Sequence, residues 1–283
     1  MRLSYYPGCS LEATGKEYDQ SSRAVCTALG IHLAEIDDWN CCGATSAHSI
    51  NSTLALALPA RNLLIAERAG FDVVTPCAAC YNRLKRAEHA LRHGQDPDRL
   101  VGSAFGDFQG KITVLSLLEV VVKRVGFDEI AAHVRRPLNG LKVVSYYGCL
   151  LVRPPEITGF DSAENPVLLD QLMTELGAEV KSWSCKTDCC GASSALASPQ
   201  VAAGMAGRLL EMAAEAGADA LVTACPLCQT NLELHRPPGT PRIPSFYFTE
   251  LLGLAFGLPG VSLWLRRHLV NPFPLLQELT LAY

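Results

Sequence analysis

The chain has 283 residues, 49% of them apolar and 18% charged, with a net charge of −4 and twelve cysteines. This composition excludes a disordered chain, and the mildly acidic balance gives no basic footprint for nucleic acid. The longest uncharged run, Leu251–Leu265, is shorter than the roughly 20 residues of a membrane-crossing helix, and the N-terminus lacks the apolar core of a cleavable signal, so a soluble, cytoplasmic protein without a membrane span is expected.

Arg2–Tyr6 alternates like a short strand and leads into Tyr-Pro-Gly-Cys at 6–9. Lys16–Leu29 has helical spacing and stops at Gly30. Ile31–Ile36 reads as a second strand, followed by Trp-Asn-Cys-Cys-Gly at 39–43. Leu54–Ala69 predicts a helix ending at Gly70, and Phe71–Thr75 a third strand running into Pro76 and the Cys77-x-x-Cys80 turn. The next helix is Tyr81–His93. The segment 94–140 reads as a polar loop with Gly and Pro, then a helix around Leu115–Val125; it is taken as an insertion and linker, with Pro137–Gly140 at the boundary. The earlier order then returns. Leu141–Tyr146 is a strand before Tyr-Tyr-Gly-Cys at 146–149, and Pro166–Leu176 a helix stopped by Gly177. Ala178–Trp183 is a strand before Asp-Cys-Cys-Gly at 188–191, and Val201–Ala216 a helix stopped by Gly217. Asp219–Thr223 is a strand feeding Cys225-Pro-Leu-Cys228.

The chain is therefore an internal duplication, with halves at 1–140 and 141–283. Each half carries a lone Cys, a Cys-Cys-Gly and a Cys-x-x-Cys; 34 residues separate the last two in both halves. Alternating strands and helices predict two pseudo-repeated, Rossmann-like α/β domains with mainly parallel sheets. Each cysteine group follows a predicted strand, so each set of five can gather at strand carboxyl ends near the domain interface.

Twelve cysteines in a cytoplasmic protein point to metal ligation or redox chemistry rather than disulfides. A zinc ion takes four ligands, and a cubane [4Fe–4S] cluster also takes four cysteines. Five thiolates point instead to an enlarged or opened iron–sulfur cluster, with structural zinc and a spare thiol as the bland alternative. The glycine after each Cys pair allows close backbone approach and an amide for cluster sulfur. Cys26, mid-helix, reads as packing; Cys185, four residues before Cys189, reads as packing or a regulatory thiol. His48 is a candidate proton donor to a product thiolate, or a helix-start histidine with no catalytic part. Arg61, Arg83 and Lys85 are candidates to meet an anionic substrate. Leu251–Leu265 and the tail Phe273–Tyr283 are expected to serve both as core and as a docking face.

The doubled ten-cysteine pattern, with Tyr-Phe-Thr-Glu-Leu-Leu-Gly-Leu at 247–254, resembles the CCG domains of the catalytic B subunit of heterodisulfide reductase over essentially the whole chain. The resemblance implies two noncubane [4Fe–4S] clusters. One would take Cys9, Cys41, Cys42, Cys77 and Cys80, the other Cys149, Cys189, Cys190, Cys225 and Cys228. It implies an oxidoreductase reducing a small disulfide, or oxidising thiols, between the clusters. It also implies an iron–sulfur electron-donor subunit of the C type and a flavin subunit of the A type as partners. The alternative is an electron-transfer subunit of a quinone-linked dehydrogenase complex with the same domains.

Overall fold

A computed structural model describes residues 1–44, 47–94 and 107–281. Among them are two four-stranded sheets in which every strand pair is parallel. In the first, β1 (Arg2–Tyr5), β2 (His32–Glu35), β3 (Val73–Thr75) and β4 (Val114–Ser116) lie in the order β2-β1-β3-β4. In the second, β5 (Lys142–Tyr146), β6 (Glu179–Val180), β7 (Ala220–Thr223) and β8 (Ser245–Tyr247) repeat it as β6-β5-β7-β8. The duplicated α/β class expected from the sequence is the one the chain adopts.

Local sequence explains the elements. β3 and β7 are short continuous runs buried along their whole length, as parallel strands covered on both faces are. The Ser52–Ala69 helix opens on Asn51, whose side chain accepts the Leu54 N–H. It closes on Gly70 at φ +76°, whose amide returns to the Ala66 and Glu67 carbonyls. In each sheet the chain leaves the first strand for an edge, then crosses back to pair on that strand's other side. The crevice at this reversal is where open α/β sheets hold ligands, and both Cys-x-x-Cys turns start there, after β3 and β7.

Two expectations change. The segment 94–140 is not merely an insertion and linker, although residues 95–106 of it lie outside the described residues. Leu115 and Ser116, read as the start of a helix, lie in β4, which pairs with β3 from Val73↔Val114 to Thr75↔Ser116. Ser116 Oγ then accepts the Glu119 N–H at 3.0 Å, and the chain continues as helix Leu117–Glu119 and a π-helical Val120–Val125. β8 and the Phe248–Phe256 helix are its counterpart, so each repeat is four strands deep. The strand is hidden in the sequence because an apolar run with no turn signal cannot be divided by periodicity.

The second change concerns the uncharged run Leu251–Leu265. Every residue of the Phe248–Phe256 helix is buried, as a helix apolar on all sides must be. It packs within the chain, on the Lys16–Ala28 helix of the other half. Tyr18 stacks on Tyr247 with ring centroids 4.0 Å apart, and Ser21 Oγ meets Thr249 Oγ1 at 2.7 Å. The first part of the run is thus an intramolecular clasp, with no face left for docking. In the tail, the Phe273–Glu278 helix buries Leu276, and Ala282 and Tyr283 lie outside the described residues.

Candidate functional site

The elements deliver the ten patterned cysteines as two nests. Cys9 opens the short helix after β1, Cys41 and Cys42 follow β2, and Cys77 is the N-cap of the Ala78–Arg92 helix that carries Cys80. The second half repeats this: Cys149 follows β5, Cys189 and Cys190 follow β6, and Cys225 caps the Pro226–Leu234 helix that carries Cys228. Sulfurs meet in pairs: Cys9 and Cys41 at 3.9 Å, Cys42 and Cys80 at 3.4 Å, Cys190 and Cys228 at 3.6 Å. Cys77 and Cys225, one from each half, lie close enough for each to shift the other's thiol, so the nests adjoin across the two halves. Cys9 and Cys41 are exposed, Cys149 and Cys189 half-buried, and the other six buried, which leaves each nest an accessible lip.

Glycines make the approach possible. Gly8 lies at φ +75° and Gly148 at φ +66°; a Cβ at Gly8 would stand 2.8 Å from Cys80 Sγ, and one at Gly148 3.1 Å from Cys228 Sγ. The glycine of each Cys-Cys-Gly is also left-handed. Its amide points at the first sulfur of the pair, Gly43 N to Cys41 Sγ at 3.5 Å and Gly191 N to Cys189 Sγ at 3.3 Å.

One pair of residues carried no role in the sequence reading. Tyr6 and Tyr146, each three residues before the lone Cys, have buried rings, and their hydroxyls clamp the other cysteine loop. Tyr6 OH donates to Asn40 O at 2.8 Å and Tyr146 OH to Asp188 O at 2.7 Å, in each case the residue just before the Cys pair. Trp39 and Trp183 pack edge-on against them. The identical offset in both halves is the sequence signal that would have found them. Buried Asn62 braces the first loop further, accepting from Asn40 N and donating to Asn40 O, both at 2.9 Å. Asn231 donates to Cys190 O in the second. Asn82, two residues past Cys80, reaches across to Leu150 O and Arg153 O, just beyond Cys149.

The thiols polarise one another. Hydrogen bonds from Cys42 and Cys9, with the Gly43 amide, hold Cys41 well below the ordinary thiol range. The hydrogen bond from Cys149 and the Gly191 amide bring Cys189 down to about 6. Cys225, receiving from Cys228 and Cys77, is lowered as well. The remaining sulfurs move the other way: Cys9, Cys42, Cys77, Cys80, Cys149 and Cys228 are all raised by neighbouring sulfurs and by burial. Each nest thus holds sulfurs ready to exchange protons for metal. Among the described residues no three His, Cys, Asp or Glu side chains converge on a single metal position. A thiolate-only donor set gathered in pairs suits an iron–sulfur cluster.

Cys26 and Cys185 lie apart from these contacts. Cys26 is buried in the core, with its thiol raised to about 12 by burial, and Cys185 is buried with Ser184 Oγ at 3.8 Å. His48 contacts Ser49 Oγ at 3.4 Å. Arg61 is engaged with Asp38 and Asn40, and Lys85 with Glu88 at 3.0 Å, so neither turns to a nest.

The cysteine-rich domain model named CCG matches residues 3–85 and 143–233, the two stretches that hold the nests. This chain belongs to the CCG cysteine-rich domain family. The 8-methylmenaquinol:fumarate reductase membrane anchor subunit of Wolinella succinogenes is 33% identical to this CCG protein over 95% of this chain and 97% of its own length. The B subunit of a ferredoxin/F(420)H(2)-dependent CoB-CoM heterodisulfide reductase from Methanosarcina acetivorans is 27% identical over 98% and 97%. The crystal structure of a hypothetical protein from Helicobacter pylori has the same fold, with a TM-score of 0.75 at 11% identity over 95% of this chain. The CCG protein spans about half (52%) of that structure's chain. Among the described residues of this CCG protein, no helix is long and apolar enough to cross a membrane.

Proposed function

We propose that the chain is the iron–sulfur redox subunit of a multi-subunit reductase, in which each half, 1–140 and 141–283, holds one noncubane [4Fe–4S] cluster and a small disulfide or thiol reacts at the adjoining nests. The observation that carries this reading is the contact between Cys77 and Cys225. Reducing a disulfide takes two electrons, and bound clusters supply them singly. The chain's part is to set two such centres side by side. Cys9, Cys41, Cys42, Cys77 and Cys80 hold the first; Cys149, Cys189, Cys190, Cys225 and Cys228 hold the second. Five sulfurs in each nest exceed what a cubane takes. Tyr6 and Tyr146 fix the paired-cysteine loops, and the lips at Cys9, Cys41, Cys149 and Cys189 admit the substrate. The full-length similarity to a heterodisulfide reductase B subunit supports this, with an iron–sulfur donor subunit and a flavin subunit as its partners.

The 33% identity to a menaquinol:fumarate reductase subunit favours a second reading. There the nests relay electrons between partner subunits of a quinol-linked complex, and a partner covers the lips.

Anaerobically purified protein, assayed for iron and labile sulfide, reduced and then mixed with disulfides or a quinone analogue, tests both. Reoxidation by a disulfide, lost in Cys42→Ser and in Cys190→Ser, is the expected result. Reoxidation by the quinone analogue alone selects the relay. Colourless protein carrying zinc refutes both readings.

A further inference from the structure

The two halves can be compared in register around their cysteines. His48 lies six residues after Cys42, and Arg83, Arg86 and His89 lie three, six and nine residues after Cys80. The same offsets from Cys190 and Cys228 give Leu196, Asn231, Leu234 and Pro237. The duplication has thus kept the ligand pattern and placed four nitrogen-bearing side chains beside one nest only.

The structure brings those four together. With Ser52, and with Ile157 from the other half, they line a pocket of about 370 Å³ whose described lining holds no Asp or Glu. Two of its buried polar atoms, Arg83 Nε and His48 Nδ1, have no hydrogen-bond partner among the described residues. Arg86 donates its Nε to Asn82 Oδ1 at 3.0 Å. A half-buried guanidinium beside a second one, with no carboxylate near, is costly unless an anion completes it. Burial and Arg86 push the Arg83 guanidinium down from its ordinary value, and the charge of Cys42 opposes them, which places Arg83 within electrostatic reach of the first nest.

We infer that this pocket is an anion subsite beside the first nest, taking the carboxylate, phosphate or sulfonate end of the small molecule that reacts there. The inference rests on the redox reading above. Guanidiniums carry planar forks of N–H donors that suit a tetrahedral or planar oxyanion, and Ile157 gives the body of the ligand an apolar wall. The second half offers exposed Leu196 and Leu234 at the matching positions. A substrate with one anionic and one apolar end is therefore held in a single orientation.

Inorganic phosphate is the probe. Anaerobic holoprotein is titrated into phosphate and the ³¹P line width followed at constant ionic strength, with iron and sulfide measured on the same sample. The wild type broadens the line, and a small carboxylate or sulfonate reverses the effect where chloride does not. Arg83→Gln/Arg86→Gln weakens binding about tenfold or more, the loss of charge-assisted hydrogen bonds. Arg86→Gln alone, at an exposed position, gives an intermediate loss without threatening the fold. Iron-loaded wild type that leaves the line sharp, or variants that bind as wild type does, overturn the subsite and leave the redox reading standing. Phosphate binding by a protein without iron keeps the anion site and overturns its link to redox chemistry.

Discussion

The glycine before each lone cysteine offers the sharpest test of how the nests are built. Gly8 sits at φ +75°, ψ 161°, an extended left-handed conformation that is essentially closed to other residues and costs about 1–3 kcal/mol when forced. A Cβ there would also stand 2.8 Å from Cys80 Sγ, a contact real Cβ atoms do not make, so Cys80 or the loop must shift. Overpacking of that kind adds about 1–3 kcal/mol. Gly8→Ala is therefore expected to lose about 2–6 kcal/mol, and the displaced sulfur is one of the five in the first nest. Gly30→Ala is the control. Gly30 has φ +68° but nothing within 4 Å of its Cβ position, so only backbone strain remains, about 1 kcal/mol. Gly148→Ala, with Cys228 Sγ at 3.1 Å, falls between the two. Urea unfolding gives the stabilities, and iron analysis with EPR gives occupancy. Gly8→Ala is expected to hold about half the wild-type iron, retained in the second half. Wild-type iron in Gly8→Ala, with a stability equal to that of Gly30→Ala, would refute the reasoning.

Tyr6→Phe and Tyr146→Phe each remove one hydroxyl from a half-buried carbonyl; each should cost about 1 kcal/mol in urea unfolding and speed iron loss to a chelator from its own half. In iron-free protein at pH 7, iodoacetamide followed by peptide mapping should modify Cys41 and Cys189 first and Cys77 and Cys80 last, because the former are lowered and accessible and the latter raised and buried. His268 lies buried between Glu250, 2.9 Å from Nε2, and Glu233, 3.1 Å from Nδ1, with Glu17 and Arg267 in electrostatic reach. Burial alone would lower it, yet the two carboxylates hold it well above the ordinary histidine value. A raised folded value means that its stabilisation is complete below about pH 6.5 and is lost as pH climbs through the folded value. Wild-type stability should thus fall with pH above about 6.5. His268→Gln should cost about 3–5 kcal/mol at pH 6 and show a flatter profile, and an unchanged slope would remove His268 as its source.

The α/β class was legible because cysteines act as landmarks: identical offsets in two halves fix the repeat before any strand is assigned. Helix ends were legible where a glycine must turn left-handed, at Gly70 and Gly30. β4 was not, since Val114–Ser116 passes into helix without a break, nor was its likeness to β8. Placing the two against each other needs only Ser-Leu-Leu-Glu at 116–119 against Tyr-Phe-Thr-Glu at 247–250, but the alignment is invisible until both are known to follow strands. The ten patterned cysteines could be listed from the sequence; the approach of Cys77 to Cys225 could not, because it depends on how the halves pack. That packing hangs on residues with no motif of their own, such as Tyr18 against Tyr247 and Asn82 against the Cys149 loop.

The halves agree in sulfur and differ in charge, and the difference has a direction. Glu119 and Glu250 occupy matching places after β4 and β8. Lys123, Lys85 and Arg124 lie within electrostatic reach of Glu119, whereas Glu250 shares His268 with Glu233 and feels Glu17. Arg83 likewise lies within electrostatic reach of Cys42, where the second half has Asn231 at the matching position. An added electron makes a cluster more negative, so cations nearby favour its reduced form and carboxylates oppose it. With a cluster in each half, the first should be reduced at the higher potential. Potentiometric titration followed by EPR, with the signals assigned through Cys42→Ser and Cys190→Ser, reads the order directly. Arg83→Gln should narrow the gap by lowering the first potential while the second stays in place. A second-half cluster reduced first would mean that hydrogen bonds to sulfur and solvent at the lips outweigh these charges, and the argument from charge would fail.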